Sequence, residues 1–174
     1  MSDRVVITGI GLLTPLGLDT ATTWDGVVAG RSGIDRITRF DAEAAGMSCT
    51  IAGEIKGFDP ERYINRKDAR KMDTFIQYGV AAAKMALEES GLEISDANAE
   101  RVGVIIGSGI GGLPAIEATM EAYQRGGARK ISPFFIPKTI INMISGWASM
   151  LLGAKGPNSA TVTACATGTH AIGE

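Results

Sequence analysis

Glycine occupies 23 of the 174 positions, roughly twice its usual share. These glycines fall at the ends of apolar runs and follow no repeat. A residue without a Cβ at such joints lets the chain reverse sharply and lets backbones approach closely. That placement points to tight turns between strands and helices. Val5 to Ile10 is an apolar, β-branched run closed by Gly9-Ile10-Gly11 and reads as a buried strand. Val102 to Ile106 reads as a second, and Ser159 to Thr163 as a third. Strands that are continuously apolar, alternating with helices, predict an α/β fold with a parallel or mixed sheet covered on both faces.

Between the strands, Leu12 to Gly17 is a loop around Pro15. Thr20 to Ala29 reads as a helix with Trp24, Val27 and Val28 on its apolar side, stopped by Gly30. Arg31 to Gly57 is irregular, with a short strand expected near Thr50 to Ile55. Asp59-Pro60 is a helix-start signal. The clearest helix runs from Asp73 to Ser90, where Phe75, Ile76, Gly79, Val80, Ala83 and Leu87 recur at helical spacing before Gly91. Pro114 to Arg125 predicts a helix, Phe134 to Pro137 a kinked apolar segment, and Thr139 to Leu152 a largely buried helix.

A net charge of −2 gives no general reason to expect nucleic-acid binding. No apolar run reaches the roughly 18 residues of a membrane span. The chain opens on a strand pattern, which argues against a signal peptide. Cys49 and Cys165 lie far apart, and the single histidine makes a zinc site an unfitting reading. A reducing, cytoplasmic setting is expected. Ala171-Ile172-Gly173-Glu174 breaks off inside what reads as a starting helix, so the chain is expected to be the N-terminal part of something longer.

Four segments carry chemistry. In Ser159-Ala160-Thr161-Val162-Thr163-Ala164-Cys165-Ala166-Thr167-Gly168-Thr169-His170, a β-prone stretch delivers a sulfur to a strand-to-helix turn. Backbone N–H groups at a helix start favour a thiolate, and small neighbours leave room for a carbonyl and for oxyanion donors. From these residues alone a buried structural cysteine is the preferred reading, and only the rest of the chain turns it. Gly107-Ser108-Gly109-Ile110-Gly111-Gly112 follows a strand and precedes a helix, formally matching a dinucleotide fingerprint. The acidic residue expected about 20 positions later is missing, because Gly126-Gly127-Ala128-Arg129-Lys130 stands there. Close packing near a pocket fits these glycines better.

Arg62, Arg66, Lys67, Arg70 and Lys71 form a basic cluster whose i,i+4 pairs would make one positive helix face. Either a solvated face or a docking surface for an acidic partner, such as a carrier protein with a phosphopantetheine arm, accounts for it. Ile131-Ser132-Pro133-Phe134-Phe135-Ile136-Pro137 is either core or the wall of a pocket or subunit interface. His170, about 140° round a helix from Cys165, is expected to be packed or hydrogen-bonded, not to act as its base.

Together these segments resemble the β-ketoacyl-acyl-carrier-protein synthase family, most closely its bacterial type II branch. The resemblance runs in order through Val5-Val6-Ile7-Thr8-Gly9, Arg66-Lys67-Asp68-Ala69-Arg70-Lys71-Met72-Asp73 and Ile106 to Gly112. It continues through Arg129-Lys130-Ile131-Ser132-Pro133-Phe134 to Thr163-Ala164-Cys165. It implies a thiolase-like fold of layered mixed sheets and helices, paired as a homodimer, with residues 1–174 forming the N-terminal half. By the same resemblance Cys165 takes an acyl group from acyl-carrier protein as a thioester, and its own N–H contributes to an oxyanion hole. Ile110 matches the position that gates the acyl pocket, and Phe135 one that lines it from the neighbouring subunit. Lys67, Arg70 and Lys71 match the residues that hold the carrier protein.

The implied reaction condenses the acyl group with malonyl-carrier protein, releases carbon dioxide and lengthens a fatty acid by two carbons. No cofactor or metal is implied, and no nucleic-acid or membrane partner. The family's two decarboxylation and condensation histidines lie in the absent half, and His170 matches neither, so the 174 residues alone are expected to be inactive. Two other readings belong to different classes. A non-catalytic chain-length factor would lack the nucleophile, and a nucleotide-dependent oxidoreductase would need the missing acid.

Overall fold

The computed structural model describes residues 4–174, which divide into two compact units. One holds the residues up to Asp59 together with Met85–Gly91, and the other holds Pro60–Lys84 and Leu92–Glu174.

In the first unit, helix α1 (Thr20–Val28) begins where Asp19, in extended backbone, accepts the Thr22 N–H on its carboxylate at 2.7 Å. This side-chain oxygen satisfies one of the donors a helix start leaves open. The helix stops as expected at Gly30, whose φ of +63° suits a residue without a Cβ. Its buried positions are Thr23 and Gly26, however, and Trp24, Val27 and Val28 are exposed. Strands β1 (Asp35–Arg36) and β2 (Ile51–Ala52) pair antiparallel, with Asp35 opposite Ala52. Glu54 braces this hairpin by accepting bonds from the Thr38 hydroxyl and from the N–H groups of Thr38 and Arg39. Those donors, the Thr38 hydroxyl foremost, hold its carboxyl below the usual range.

The expected buried strand from Val5 to Ile10 is corrected by the structure. These residues form no strand, and Val5, Val6 and Ile7 are 95%, 60% and 77% exposed. An apolar run becomes a buried strand only when a neighbouring strand takes its N–H and C=O groups and other elements cover its faces. Among the described residues no strand pairs with it.

The second unit is built around helix α3 (Thr74–Ser90), whose last turns belong to the first unit. Ile76 and Val80 are fully buried at the helical spacing read from the sequence, and Gly91 follows with φ +66°. Covering an isoleucine or valine side chain contributes about 1.5–3 kcal/mol. With Ile64, Ala69, Met72, Val104, Ile144, Ala148 and Ala154 they form the core. Gly79 lets helix α6 (Met143–Leu152) approach, since a Cβ there would stand 2.3 Å from Ile144 Cδ1.

Strand β3 (Val104–Ile105) pairs parallel with β4 (Asn158–Ser159), Val104 opposite Asn158. Both are shorter than the apolar runs suggested, and the ladder ends before Thr161. Buried Ser145 of α6 fixes β4 laterally: its hydroxyl meets Asn158 Oδ1 at 3.1 Å, and Asn158 Nδ2 donates to its carbonyl at 3.0 Å. Helix α4 (Leu113–Gly126) ends at Gly127, with φ +69°. The kinked apolar segment expected over Phe134 to Pro137 instead opens helix α5 (Phe135–Thr139), and the buried helix begins only at Met143. The chain closes in helix α7 (Thr167–Gly173). No helix among the described residues is long and apolar enough to cross a membrane.

Candidate active site

Between β4 and α7 the chain makes one 3₁₀ turn, Ala164–Ala166, with Cys165 at its centre. Three threonines set that turn. Buried Thr161 donates its hydroxyl to the Thr167 carbonyl at 3.1 Å, and the Thr163 N–H donates to Thr167 Oγ1 at 2.8 Å. The Ala166 N–H closes the turn on the Thr163 carbonyl at 3.0 Å. Within this clamp Ala164 has φ +48°, a conformation no other non-glycine among the described residues adopts. The left-handed region costs an L-residue about 1–2 kcal/mol, so the threonine bonds hold a backbone that an isolated chain avoids. Cys165 directly follows the strained residue, and its thiol is free and exposed. The local reading of a buried structural cysteine is therefore set aside.

The glycine loop after β3 lies against this turn. A Cβ on Gly107 would meet the Thr161 carbonyl oxygen at 2.2 Å and Thr167 Cγ2 at 2.4 Å. Gly109 approaches Ala164, 3.6 Å from such a Cβ to its carbonyl oxygen. Gly111 has φ +88°, and at Gly112 a Cβ would stand 2.4 Å from the Lys138 carbonyl. The space beside Gly107 that a dinucleotide phosphate would need is thus filled by the cysteine turn, and the glycines serve backbone packing. Ile110, 72% exposed, rides on this loop. Phe135 is half-buried in the first turn of α5, whose last residues lie against Gly111 and Gly112. One loop therefore joins the cysteine turn, Ile110 and the helix that carries Phe135.

The basic cluster does not form the single positive face that i,i+4 spacing suggested, because helix α2 (Arg66–Ala69) is only one turn long. Lys67 and Arg70 are exposed. Lys71 turns inward: its ammonium lies 2.6 Å from Asp68 Oδ1 and 5.8 Å from the centre of the Trp147 ring. That ammonium, and then the Asn65 amide, holds the Asp68 carboxyl below the usual range. Arg66 pairs with Glu61 at 3.5 Å. Arg66, Arg70, Gln77 and Lys138 border an open depression of about 430 Å³. Lys138 was invisible as a member of this basic group in the sequence, since only the docking of α5 brings it there. His170 meets the expectation made for it, with ring nitrogens 3.3 Å from Thr163 Oγ1 and 3.3 Å from Glu174 Oε1.

The family model for the N-terminal domain of β-ketoacyl synthases matches residues 2–174. A 3-oxoacyl-(acyl-carrier-protein) synthase 2 of Vibrio cholerae is 54% identical over 98% of this chain. Among solved structures, the ishigamide ketosynthase/chain length factor superposes with a TM-score of 0.78 at 30% identity, over 91% of this chain and 39% of its own. A type II PKS acyl-carrier protein in complex with its ketosynthase, bound to the hexaketide, gives 0.74 at 25% identity over 97% of this chain and 44% of that one. The chain spans about two-fifths of the Vibrio cholerae relative, 41% of its length.

Proposed function

Because this chain belongs to the β-ketoacyl synthase family and has its thiolase-like fold, we propose that it supplies the acyl-accepting half of a condensing enzyme that elongates fatty acids. The observation that carries the reading is the exposed Cys165 thiol in a turn held by Thr161, Thr163 and Thr167 and edged by the glycine loop. In the first step the sulfur attacks the carbonyl of an acyl-carrier thioester. The carrier's thiol leaves with the proton, and the acyl group remains on Cys165. In the second, malonyl-carrier protein loses carbon dioxide, and the resulting carbanion attacks the Cys165 thioester. The sulfur departs, and a β-ketoacyl-carrier two carbons longer is released. The histidines that resemblance assigns to this step lie outside residues 1–174, so these residues alone do not condense. The test is to incubate the protein with acyl-carrier protein and weigh its peptides. A mass increase of one acyl group on the Cys165 peptide is expected, and none there would overturn the reading. A chain-length factor would lack this nucleophile.

The partner in this reading is the acidic carrier protein, approached through Lys67, Arg70 and Lys71, the last of which lies over the Trp147 ring. Charge reversal at Lys67 or Arg70 is expected to weaken carrier binding by about tenfold at low salt and by less as salt rises. Turnover of small acyl thioesters stays within about twofold, because exposed charges steer encounter without entering the chemistry. An equal loss on both substrates would assign these side chains to the fold.

Ile110 and Phe135 border the acyl tunnel in this reading, Phe135 from the second subunit of a homodimer. Leu113, Ile116, Met120 and Tyr123 of α4 line one exposed apolar face, a surface that self-association would cover. Enlarging Ile110 to phenylalanine is expected to shorten the longest acyl group accepted while short ones still reach Cys165. Extra ring volume in a packed wall strains it by about 1–3 kcal/mol. Acyl-length profiles check this, and an unchanged profile removes Ile110 from the tunnel.

A further inference from the structure

The residue before helix α4 is Gly112, which has no side chain with which to cap it. The first N–H groups of a helix need acceptors from elsewhere. One comes from a residue 42 positions earlier in the sequence: Asp73 Oδ2 accepts the Ala115 N–H at 2.8 Å. The same carboxylate accepts the Thr74 N–H on Oδ1, at the start of α3. Asp73 is only 7% exposed, and no salt bridge to it is formed among the described residues. Its two oxygens accept N–H groups at the starts of two helices, donors that a helix start leaves open.

The long-range cap has a geometric consequence that a local one would lack. A side chain at Gly112 could stabilise α4 wherever the helix lay. Asp73 instead fixes the start of α4 to the start of α3, and α3 is anchored in the core by Ile76 and Val80. Gly112 lies directly beneath the clamp, with Asp73 Oδ2 3.1 Å from where its Cβ would stand. The Gly112 N–H also donates to the Thr139 carbonyl at 3.1 Å, and the Ser108 hydroxyl accepts the Gly111 N–H at 3.1 Å. The loop is thereby held at its far end by Asp73 and at its near end by the contact of Gly107 with Thr161 and Thr167. Ile110 is the exposed residue suspended between these two anchorages.

We propose that Asp73 is a positioning residue for acyl-chain selection, fastening the Gly107–Gly112 loop so that Ile110 stands at a fixed place beside the Cys165 turn. This rests on the reading of Cys165 as the acylated nucleophile. Asp73 touches neither substrate nor sulfur, and it acts through the loop.

The test uses Asp73→Ser and Asp73→Asn in the full protein that carries this chain. Serine still caps α3 but is too short to reach Ala115, whereas asparagine keeps a carbonyl of the right length. Acylation of Cys165 in the unmutated protein by butanoyl- and hexadecanoyl-carrier protein is measured first. Failure there removes the nucleophile reading, and with it this proposal, before any variant is compared. With acylation established, Asp73→Ser is expected to speed hydrogen exchange at the Ala115 amide by about tenfold, with Val80 and Val104 unchanged. It is also expected to shift the ratio of kcat/KM for the two acyl lengths by about threefold or more. Asp73→Asn restores both quantities to within about twofold. The proposal is overturned by an unchanged ratio, by both lengths falling in step, by loss of fold in Asp73→Ser, or by no rescue in Asp73→Asn. Each of these assigns Asp73 to stability alone.

Discussion

Cys165→Ala eliminates formation of the acyl-enzyme and lowers turnover by roughly 10³-fold or more, the scale set by deleting a covalent nucleophile. The informative comparison is Cys49, the other cysteine of the chain. Both thiols are free and exposed, so accessibility alone gives a labelling reagent no preference between them. Their surroundings differ. Cys49 Sγ lies 3.5 Å from the Ile51 carbonyl, beside a two-residue strand. Cys165 sits in a turn stretched between Thr163 and Thr167, next to a left-handed alanine and a glycine loop. An acyl-tailed epoxide supplied in limiting amount is therefore expected to modify Cys165 and spare Cys49, whereas a small, indiscriminate alkylating agent reaches both. Peptide mapping distinguishes the two patterns. Selective modification of Cys49 by the acyl-tailed reagent would remove the mechanism proposed for Cys165.

Gly107→Ala is expected to be nearly as damaging, although the residue carries no reactive group. The added methyl would fall 2.2 Å from a backbone carbonyl oxygen and 2.4 Å from a threonine methyl, distances that a non-bonded Cβ does not adopt. Neither neighbour is the far end of a flexible side chain. Thr161 is fixed by its hydroxyl bond to the Thr167 carbonyl, and both residues are buried. The loop or the cysteine turn must move. Overpacking of this kind destabilises by about 1–3 kcal/mol, and a turn displaced by even an ångström loses about 10²-fold in reaction. Denaturant melts and the rate of Cys165 acylation measure the two effects separately. Gly168→Ala is the control, since a Cβ there meets nothing within 4 Å. Equal behaviour of the two variants would show that the loop does not support the turn.

The sequence held the parts of the molecule governed by local periodicity. The apolar spacing of Ile76 and Val80 and the stop at Gly91 were legible, as were the start of α1 at Thr20 and its stop at Gly30, because helical hydrogen bonds and caps depend on nearby residues. The order of the motifs likewise carried the family and singled out Cys165 within it. Strands were less legible. Val5 to Ile10 has the composition of a buried strand, but pairing needs a partner that the segment does not contain. The same limit shortened β4, whose apolar continuation leaves the ladder to form the cysteine turn.

What only tertiary structure decided was which face of each element met what. Lys71 reads like its neighbours Lys67 and Arg70, yet it packs over Trp147 because a one-turn helix cannot keep three cations on one side. The glycines of the loop match a phosphate cradle in form only, and it is the Thr161–Thr167 turn that fills the space beside them. Asp73 stood in the sequence as one letter at the start of a helix. Its bond to Ala115 spans 42 positions, a distance over which no local pattern operates, and it exists only because the core under α3 brings two helix starts together.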